Sequence, residues 1–280
     1  MHIVYQDAIV RGHPIEQLCA DRGWQAHHLD PMHFQDATQE IERTLFKSVL
    51  GKGEPVVCLT AIRLAMQAPH LKLPTLQRGI IASKWKLTWS NYAAVLPNDV
   101  LLNPFGILFP WQHLKTKDAI SCLRGSFGDK GVFIRPNSPW KPFAGFPTTW
   151  DGYEYNINSY ESLESIEPGE ICVVFPIKEI SNIEWRFWVV AGKVVTWAPY
   201  SWRDMEPSAQ RMPQGMLEQV ERVIGRLEGY EDSLVIDMVE TDDGIKLVEL
   251  NGLSTAGFYE GMDVSALFNA LPTMFGQPAL

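Results

Sequence analysis

Asp237, Glu249 and Asn251 are the residues whose types and spacing carry the most chemistry in this chain. All three offer oxygen ligands. Hard divalent cations take oxygen, and magnesium in particular is held by one or two carboxylates together with substrate phosphates. Two carboxylates and an amide oxygen on one sheet face therefore imply a magnesium site, and such a site implies a nucleotide. The three sit in LVIDMVETDDGIKLVELNG, residues 234–252, which reads as two strands about a tight acidic turn.

The register decides whether they converge. A two-residue Asp243-Gly244 loop pairs Asp242 with Ile245, sets Asp237 against Leu250 and turns Glu249 to the other face. A three-residue loop, Asp242-Asp243-Gly244, puts glycine in the left-handed position that such loops favour. Thr241 then pairs with Ile245, Asp237 lies opposite Glu249, and Asn251 follows on the same face because side chains alternate along a strand. The second register is preferred, since a slip of one residue scatters the ligands. An acidic surface hairpin is the plainer reading. Against it, Asp237 and Glu249 lie inside apolar runs, where an unpaired carboxylate is costly.

A magnesium–nucleotide site also needs cations that neutralise phosphate oxygens. Arg135 ends GVFIRP and precedes the loop NSPWKPFAGF, where its planar fork suits phosphate. Lys141 in that loop would reach the same phosphates as a point charge. Each has an ordinary alternative: a surface strand end for Arg135, a solvated loop lysine for Lys141. Arg186 is the stronger candidate. In IEWRFWVV nearly every neighbour is apolar or aromatic, and a buried arginine needs a carboxylate or phosphate partner. Glu184, two residues earlier on the same face, offers a purely structural pair instead. Arg203 and Asp204 in SWRD either complete the pocket or lie in a solvated loop. VVFPIKEIS suits the base: a strand running into a linker presents backbone N–H and C=O groups, and Phe175, Ile177 and Ile180 supply apolar walls. Lys178 would point toward the α-phosphate, and Phe175 suits ordinary core equally well.

The elements that must position these residues fall into two regimes. HIVY, WQAHHLD and PVVCL read as strands. PIEQLCADRG, with Pro14 near its start and Gly23 past its end, reads as a helix. ATQEIERTLFKSVLGKG, with Ile41, Leu45 and Val49 on one face, and AIRLAMQA read as two more. Strand–helix alternation predicts a small parallel sheet. No G-x-G-x-x-G is present, so no dinucleotide is assigned to it. A connecting region from Gly79 to Lys117 holds Lys84, Trp85, Lys86, Trp89 and Tyr92, and Pro97, Pro104 and Pro110 argue against one long element there. From Ser121 the pattern is mainly antiparallel, with strands in GVFIRP, EICVVFP, IEWRFWVV and KVVTWAP and a hairpin turn at Ala191-Gly192. MLEQVERVIGRLEGY reads as an amphipathic helix ending at Gly229, and DVSALFNALPTMF as a last helix.

Composition sets the bounds. With 280 residues, 46% hydrophobic and 20% charged, the chain can bury a sizeable core. A net charge of −9 without a basic stripe disfavours extended nucleic-acid binding. No segment approaches the roughly 18 uninterrupted apolar residues of a membrane helix. The start, MHIVYQDAIV, lacks a positive n-region. Four scattered cysteines without C-x-x-C read as reduced thiols. A cytoplasmic protein away from membranes is expected, and nothing in the sequence fixes its oligomeric state.

With the motifs in this order, the sequence resembles an ATP-grasp protein over roughly residues 80–270. VFIRP resembles the strand that bears a phosphate-binding basic residue. EWRFWVVAGKVV resembles the strand pair with the phosphate-binding arginine, and LVIDMV with LVELNG resembles the paired metal strands. Within the superfamily the likeness is to a divergent clade named for two arginines and a lysine. That clade includes bacterial and phage proteins and the eukaryotic cell-division-cycle protein that assists assembly of a translation initiation factor. RPNSPWKP resembles its K-L-N-x-S-x-P-K-D pattern, EWRFWV its E-F-R-x-F-V, and WRD at 202–204 its Q-R-D. Arg135 stands where the clade has lysine, which keeps the charge and changes the geometry.

The resemblance implies an α+β chain: an ATP-grasp fold of antiparallel sheets with helices over 81–280, preceded by a small α/β pre-ATP-grasp domain over 1–80. It implies ATP and Mg2+ as cofactors. Asp237, Glu249 and Asn251 would hold the metal, and Arg135, Lys141, Phe175, Ile177, Lys178 and Arg186 the nucleotide, with Arg186 and Arg203 acting on the transferred phosphate. The implied reaction is carboxylate–amine ligation through an acylphosphate, on an amino acid, peptide or protein. It needs no protein nucleophile, and no Ser-His-Asp or Cys-His set is evident. GLSTAGFYEG would then shape the acceptor side through Ser254, Thr255 or Tyr259, or serve as a flexible connector. Two other readings stand: a non-enzymatic Mg–ATP-binding assembly factor for a protein partner, and a scaffold that no longer binds nucleotide.

Overall fold

The computed structural model describes residues 1–29, 55–60, 84–138, 141–164, 166–201 and 211–280. The expected helices in ATQEIERTLFKSVLGKG and AIRLAMQA lie outside the described residues, as do Arg203 and Asp204.

The N-terminal unit comprises β1 (His2–Tyr5), α1 (Asp7–Val10), α2 (Ile15–Ala20), β2 (Gln25–His28) and β3 (Val56–Leu59). Its strands are parallel in the order β2-β1-β3. Every residue of β1 and β3 is buried, as expected of a parallel sheet covered on both faces.

The connecting region supplies α3 (Trp89–Tyr92) and an edge strand, β4 (Ile107–Pro110). After these come α4 (Lys117–Phe127), β5 (Val132–Pro136), β6 (Phe146–Thr148), α5 (Tyr153–Glu164) and β7 (Ile171–Pro176). The four strands form an antiparallel sheet, β4-β7-β5-β6. Trp111, Leu123, Ile134, Phe146, Tyr153 and Val174 form the core between this sheet and its helices.

The second antiparallel sheet contains β8 (Ile183–Val190), β9 (Lys193–Ser201), β10 (Ser233–Thr241) and β11 (Gly244–Asn251), ordered β11-β10-β8-β9. Ala191 and Gly192 both have positive φ, +48° and +72°, which suits the right-handed twist of the β8–β9 hairpin. The helix α6 (Met216–Arg226) stops before Gly229: Leu227 leaves the helical region at φ −102° and ψ 16°, and its N–H is shared between Val223 O and Ile224 O. A final helix, α7 (Val264–Ala270), is capped by Asp263, which accepts from the Ala266 N–H, and it continues as a 3-10 turn past Pro272. Among the described residues no helix is long and apolar enough to cross a membrane.

Alternation along β8 and β10 sorts the sheet's two faces. Trp185, Phe187, Val189, Leu234, Ile236 and Met238 pack with Met216, Val220 and Val223 of α6. Each large apolar side chain so buried contributes about 1.5–3 kcal/mol. The opposite face carries Trp188, Val190 and Val235, which join Ile3, Tyr5, Val57 and Leu59 of the N-terminal sheet in one core. The two units are therefore welded by a shared apolar interior. Glu184, Arg186 and Asp237 sit on that second face, buried at alternate positions.

The hairpin register differs from both sequence-based alternatives. Thr241 pairs with Gly244, so the turn holds only Asp242 and Asp243. Met238 pairs with Leu247, then the register shifts by one, and Asp237 pairs with Glu249. Val248 is the extra residue of a β-bulge. The expected cross-strand pair is present, but the bulge creates it and not a three-residue loop.

Candidate active site

Six side chains from five segments meet where the two antiparallel sheets abut. β10 brings Asp237, β11 brings Glu249 and Asn251, β8 brings Arg186, β5 brings Arg135, and the loop after β5 brings Lys141. They form one connected network. Arg186 donates to Asp237 through Nε and Nη2, both at 2.7 Å, a bidentate pair. Asn251 Nδ2 donates to Asp237 Oδ2 at 3.0 Å and to Glu249 Oε1 at 2.8 Å. Arg135 Nη2 donates to Glu249 Oε2 at 2.7 Å. Lys141 Nζ donates to both Glu249 oxygens at 2.9 Å and to Asn251 Oδ1 at 2.5 Å.

The register explains part of this. Asp237 faces Arg186 across the β10–β8 ladder and Glu249 across the β10–β11 ladder. Side chains directly opposite one another in a ladder are close neighbours. Arg186 therefore takes its carboxylate from the next strand, and the purely structural Glu184–Arg186 pair does not form. Glu184 instead accepts from the Tyr200 hydroxyl at 2.5 Å. Lys141 has φ +43°, a left-handed conformation that costs a non-glycine residue about 1–3 kcal/mol and marks sites where structure serves function.

Electrostatics follow from burial. Asp237 is 0% exposed and Arg186 7%. Burial disfavours the Arg186 charge, but the bidentate Asp237 outweighs it and holds the guanidinium well above its ordinary pKa. Burial pushes Asp237 up, with Arg186 pulling against it. Burial also acts on Glu249, yet Lys141 and Arg135 overcome it and hold this carboxyl well below the usual range. Lys141 is lowered by burial and the Arg135 charge, against the pull of Glu249. Tyr92, which the sequence placed only in the connecting region, is buried beside Arg135 and Glu249, and burial raises its phenol to about 12.

The remaining sequence candidates lie around this network. Phe175 is buried at the end of β7, edge-on to Trp89 with ring centres 5.0 Å apart. Ile177 is half-buried, and Lys178 and Ile180 are exposed in the linker to β8. Lys178 takes no part in the network. Tyr259 packs flat on Tyr200, with ring centres 4.6 Å apart, and Arg186 lies over both rings at 5.0 and 5.1 Å. Sequence reasoning gave no signal for Tyr200 or Tyr92, since nothing in their local spacing connects them to residues 135, 186 or 259.

The oxygens of Glu249 and Asn251 fit a hard cation. Both Glu249 oxygens and Asn251 Oδ1 already converge on one positive centre, the Lys141 ammonium, at 2.5–2.9 Å. That ammonium stands in for a cation at an all-oxygen donor set. Asp237 directs its oxygens to Arg186 and Asn251. Among the described residues three cations face two carboxylates in direct contact. That excess of positive charge favours a phosphate ligand.

Residues 149–271 match a family model for an ATP-grasp domain, family 3 of the clade named for two arginines and a lysine. Comparison with curated proteins gives no match. Among solved structures, D-cycloserine synthetase DcsG is similar with a TM-score of 0.65 at 12% identity, covering 99% of this chain and 99% of that one. The macrocyclase MdnC of Microcystis aeruginosa MRC, bound with precursor peptide MdnA, gives 0.57 at 13% identity, covering 98% and 100%. D-alanine–D-alanine ligase of Bacillus anthracis, complexed with ATP, gives 0.53 at 14% identity, covering 98% and 95%. At these identities the structural likeness establishes the fold. The chain has that fold along nearly its whole length, and the part of it that carries β8 to β11 matches the ATP-grasp family model.

Proposed function

We propose that the chain is an ATP-dependent ligase that joins a carboxylate to an amine through an acylphosphate. The observation that carries this reading is the single network joining Asp237, Glu249 and Asn251 to Arg135, Lys141 and Arg186. The fold is shared with a synthetase, a macrocyclase bound to a precursor peptide and a D-alanine–D-alanine ligase. These support an amino acid or peptide as substrate.

Glu249 and Asn251 would hold magnesium, with Asp237 beside them. When bound, the ion neutralises phosphate oxygens and fixes their direction. Arg135 and Arg186 would grip those oxygens as planar forks. Asp237 keeps Arg186 in one orientation through two hydrogen bonds, so its remaining N–H groups stay aimed without reorganisation. Lys141 would pass from the carboxylate to the phosphates when the cation seat is taken, and Arg203 would add a further charge. Phe175 and Ile177 would wall the base and Lys178 would reach the α-phosphate. The chain's task is to hold the substrate carboxylate in line with the γ-phosphorus. A carboxylate oxygen bonds to phosphorus as ADP leaves. The amine nitrogen then bonds to the acyl carbon, loses a proton, and phosphate departs. Residues 1–80 would act as the pre-ATP-grasp domain and 81–280 as the ATP-grasp domain. The free cysteines, Cys19, Cys58 and Cys172 of them buried, suit a reducing cytoplasm.

The test is twofold. Mg–ATP at about 100 times its dissociation constant should stabilise the native chain by about 2.7 kcal/mol. ADP and phosphate release should then depend on an added carboxylate and amine drawn from mixed amino acids and dipeptides. Binding without turnover would support the assembly-factor reading, and no stabilisation at saturating ATP would remove both.

A further inference from the structure

Arg11 stands apart from the cations of the phosphate network. It follows α1 in the left-handed region, at φ +48°, and its side chain is exposed. Its guanidinium carbon lies 4.5 Å from the centre of the Tyr259 ring. The same group packs on the backbone of Gly257, where a Cβ would come within 3.3–3.4 Å of Nε, Cζ and Nη2. The side chain makes no hydrogen bond or ion pair among the described residues. A guanidinium carries five N–H donors and cannot be discharged in a protein. Here it rests against a ring and a glycine, and its donors meet no acceptor among the described residues.

Its position adds a second, independent observation. In an open parallel sheet, ligands bind outside the carboxyl ends of the strands, where connections leave to opposite sides. In the order β2-β1-β3, β1 is the central strand, and Arg11 lies in the segment leaving its carboxyl end. That edge docks onto the loop following Asn251. The Thr60 N–H donates to Ser254 O at 2.8 Å, and the Phe258 N–H donates to Ile9 O at 2.7 Å. Arg186 lies 5.0 Å from the same Tyr259 ring centre that Arg11 covers. Arg11 is thus one aromatic ring away from the arginine that grips Asp237.

We propose that Arg11 is a specificity-determining residue that binds a second carboxylate, carried by the amine substrate and distinct from the carboxylate that reacts. The assignment rests on the ligase reading above and narrows it. The acceptor is a free α-amino acid or a peptide with a free carboxylate near its amine, and not a simple amine. Carboxylate and amine of such a molecule are separated by a single carbon or a short chain. Arg11 and Arg186 approach the same Tyr259 ring, to 4.5 and 5.0 Å from its centre, so an acceptor anchored on Arg11 is held beside the network. A planar fork selects a carboxylate over an uncharged amide by charge-assisted bidentate hydrogen bonding.

The test uses the full chain with Mg–ATP and matched acceptor pairs: alanine with alaninamide, and glycylglycine with its amide. Two readouts are taken, ADP release with mixed carboxylate donors and the thermal shift on adding each acceptor. Wild type should favour the acid of at least one pair by about ten-fold or more in kcat/KM, carried by KM. R11A should lower the acid to the level of its amide, and R11K should fall between, with the Mg–ATP shift unchanged in both. Equal response of the wild type to acid and amide in every pair and both readouts overturns the assignment, as does a preference that survives R11A. Loss of ADP release with an Arg11-dependent acid preference in the thermal shift would remove the ligase reading and leave the anion site standing.

Discussion

Asp237→Asn is the substitution that most directly probes the network. It keeps the side chain's size and deletes its charge. Asp237 is fully buried, and it accepts two hydrogen bonds at 2.7 Å from Arg186, itself only 7% exposed. The variant leaves a buried guanidinium without a counter-charge and turns an amide N–H₂ toward one of its donors. Breaking a buried ion pair from one side costs about 3–5 kcal/mol. Whole domains are stable by only about 5–15 kcal/mol, so the change should be conspicuous in urea denaturation followed by tryptophan fluorescence. Glu184 is another carboxylate on the same face, but it already accepts from the Tyr200 hydroxyl. The double variant Arg186→Met with Asp237→Leu removes both charges and should recover most of the loss, because well-packed apolar replacements of buried pairs are often neutral. It should nevertheless show no response to Mg–ATP. A single variant within about 1 kcal/mol of wild type, or a double variant as unstable as the single, would refute the claim that this pair is a desolvated, mutually dependent unit.

Two further outcomes follow from other parts of the structure. A Cβ at Gly106 would lie 2.5 Å from both Phe175 Cε1 and Val173 Cγ2, so Gly106→Ala should cost about 1–3 kcal/mol in urea denaturation, and a variant as stable as wild type would show that the Phe175 ring is not fixed. His27 is lowered by burial and by neighbouring His2, whose ring nitrogen lies 3.0 Å away. A base with a depressed folded-state value takes its proton later than the unfolded chain does, so the stability it permits is full above about pH 6.5 and declines as pH falls below that. Denaturation midpoints for His27→Gln should fall less steeply than those of wild type between about pH 7 and 5, and parallel slopes would contradict this.

Much of the candidate site's membership was legible because these residues break the pattern around them. Asp237 and Arg186 interrupt apolar strands, and a charge there needs a partner whatever the fold. Which partner was not legible. Glu184 was the carboxylate visible two residues from Arg186, whereas Asp237 meets Arg186 only because β10 pairs with β8, a neighbour not adjacent in sequence. The same holds for Tyr92 beside Arg135, and for Arg11 on Tyr259, where residues 248 apart in the chain share one ring. The parallel N-terminal sheet was readable from strand–helix alternation. β4 and β6 were not, since each carries a proline, Pro110 and Pro147, which speaks against a strand and is tolerated here because both lie at the edges of their sheet.

The hairpin shows why a correct contact can arise from an incorrect turn. An extra residue in the turn and an extra residue in the strand have the same consequence for every pair beyond them. Had the register near the turn simply continued, Asp237 would face Val248, and Glu249 and Asn251 would emerge on the face that packs against α6. A three-residue loop would correct the far pairs, but it would leave β11 unbent. The bulge makes the same correction at Val248, one residue before Glu249. Bulges bend their strand, increase its local twist and re-aim nearby side chains. Here the re-aimed residue is the one that leaves its own sheet: Glu249 reaches Arg135 on β5 and Lys141 beyond it, across the junction of the two antiparallel sheets. Asp237 needs no such bend, because its partner Arg186 lies on the adjoining strand of the same sheet. The irregularity therefore sits at the point where one sheet must offer its carboxylate to cations supplied by the other.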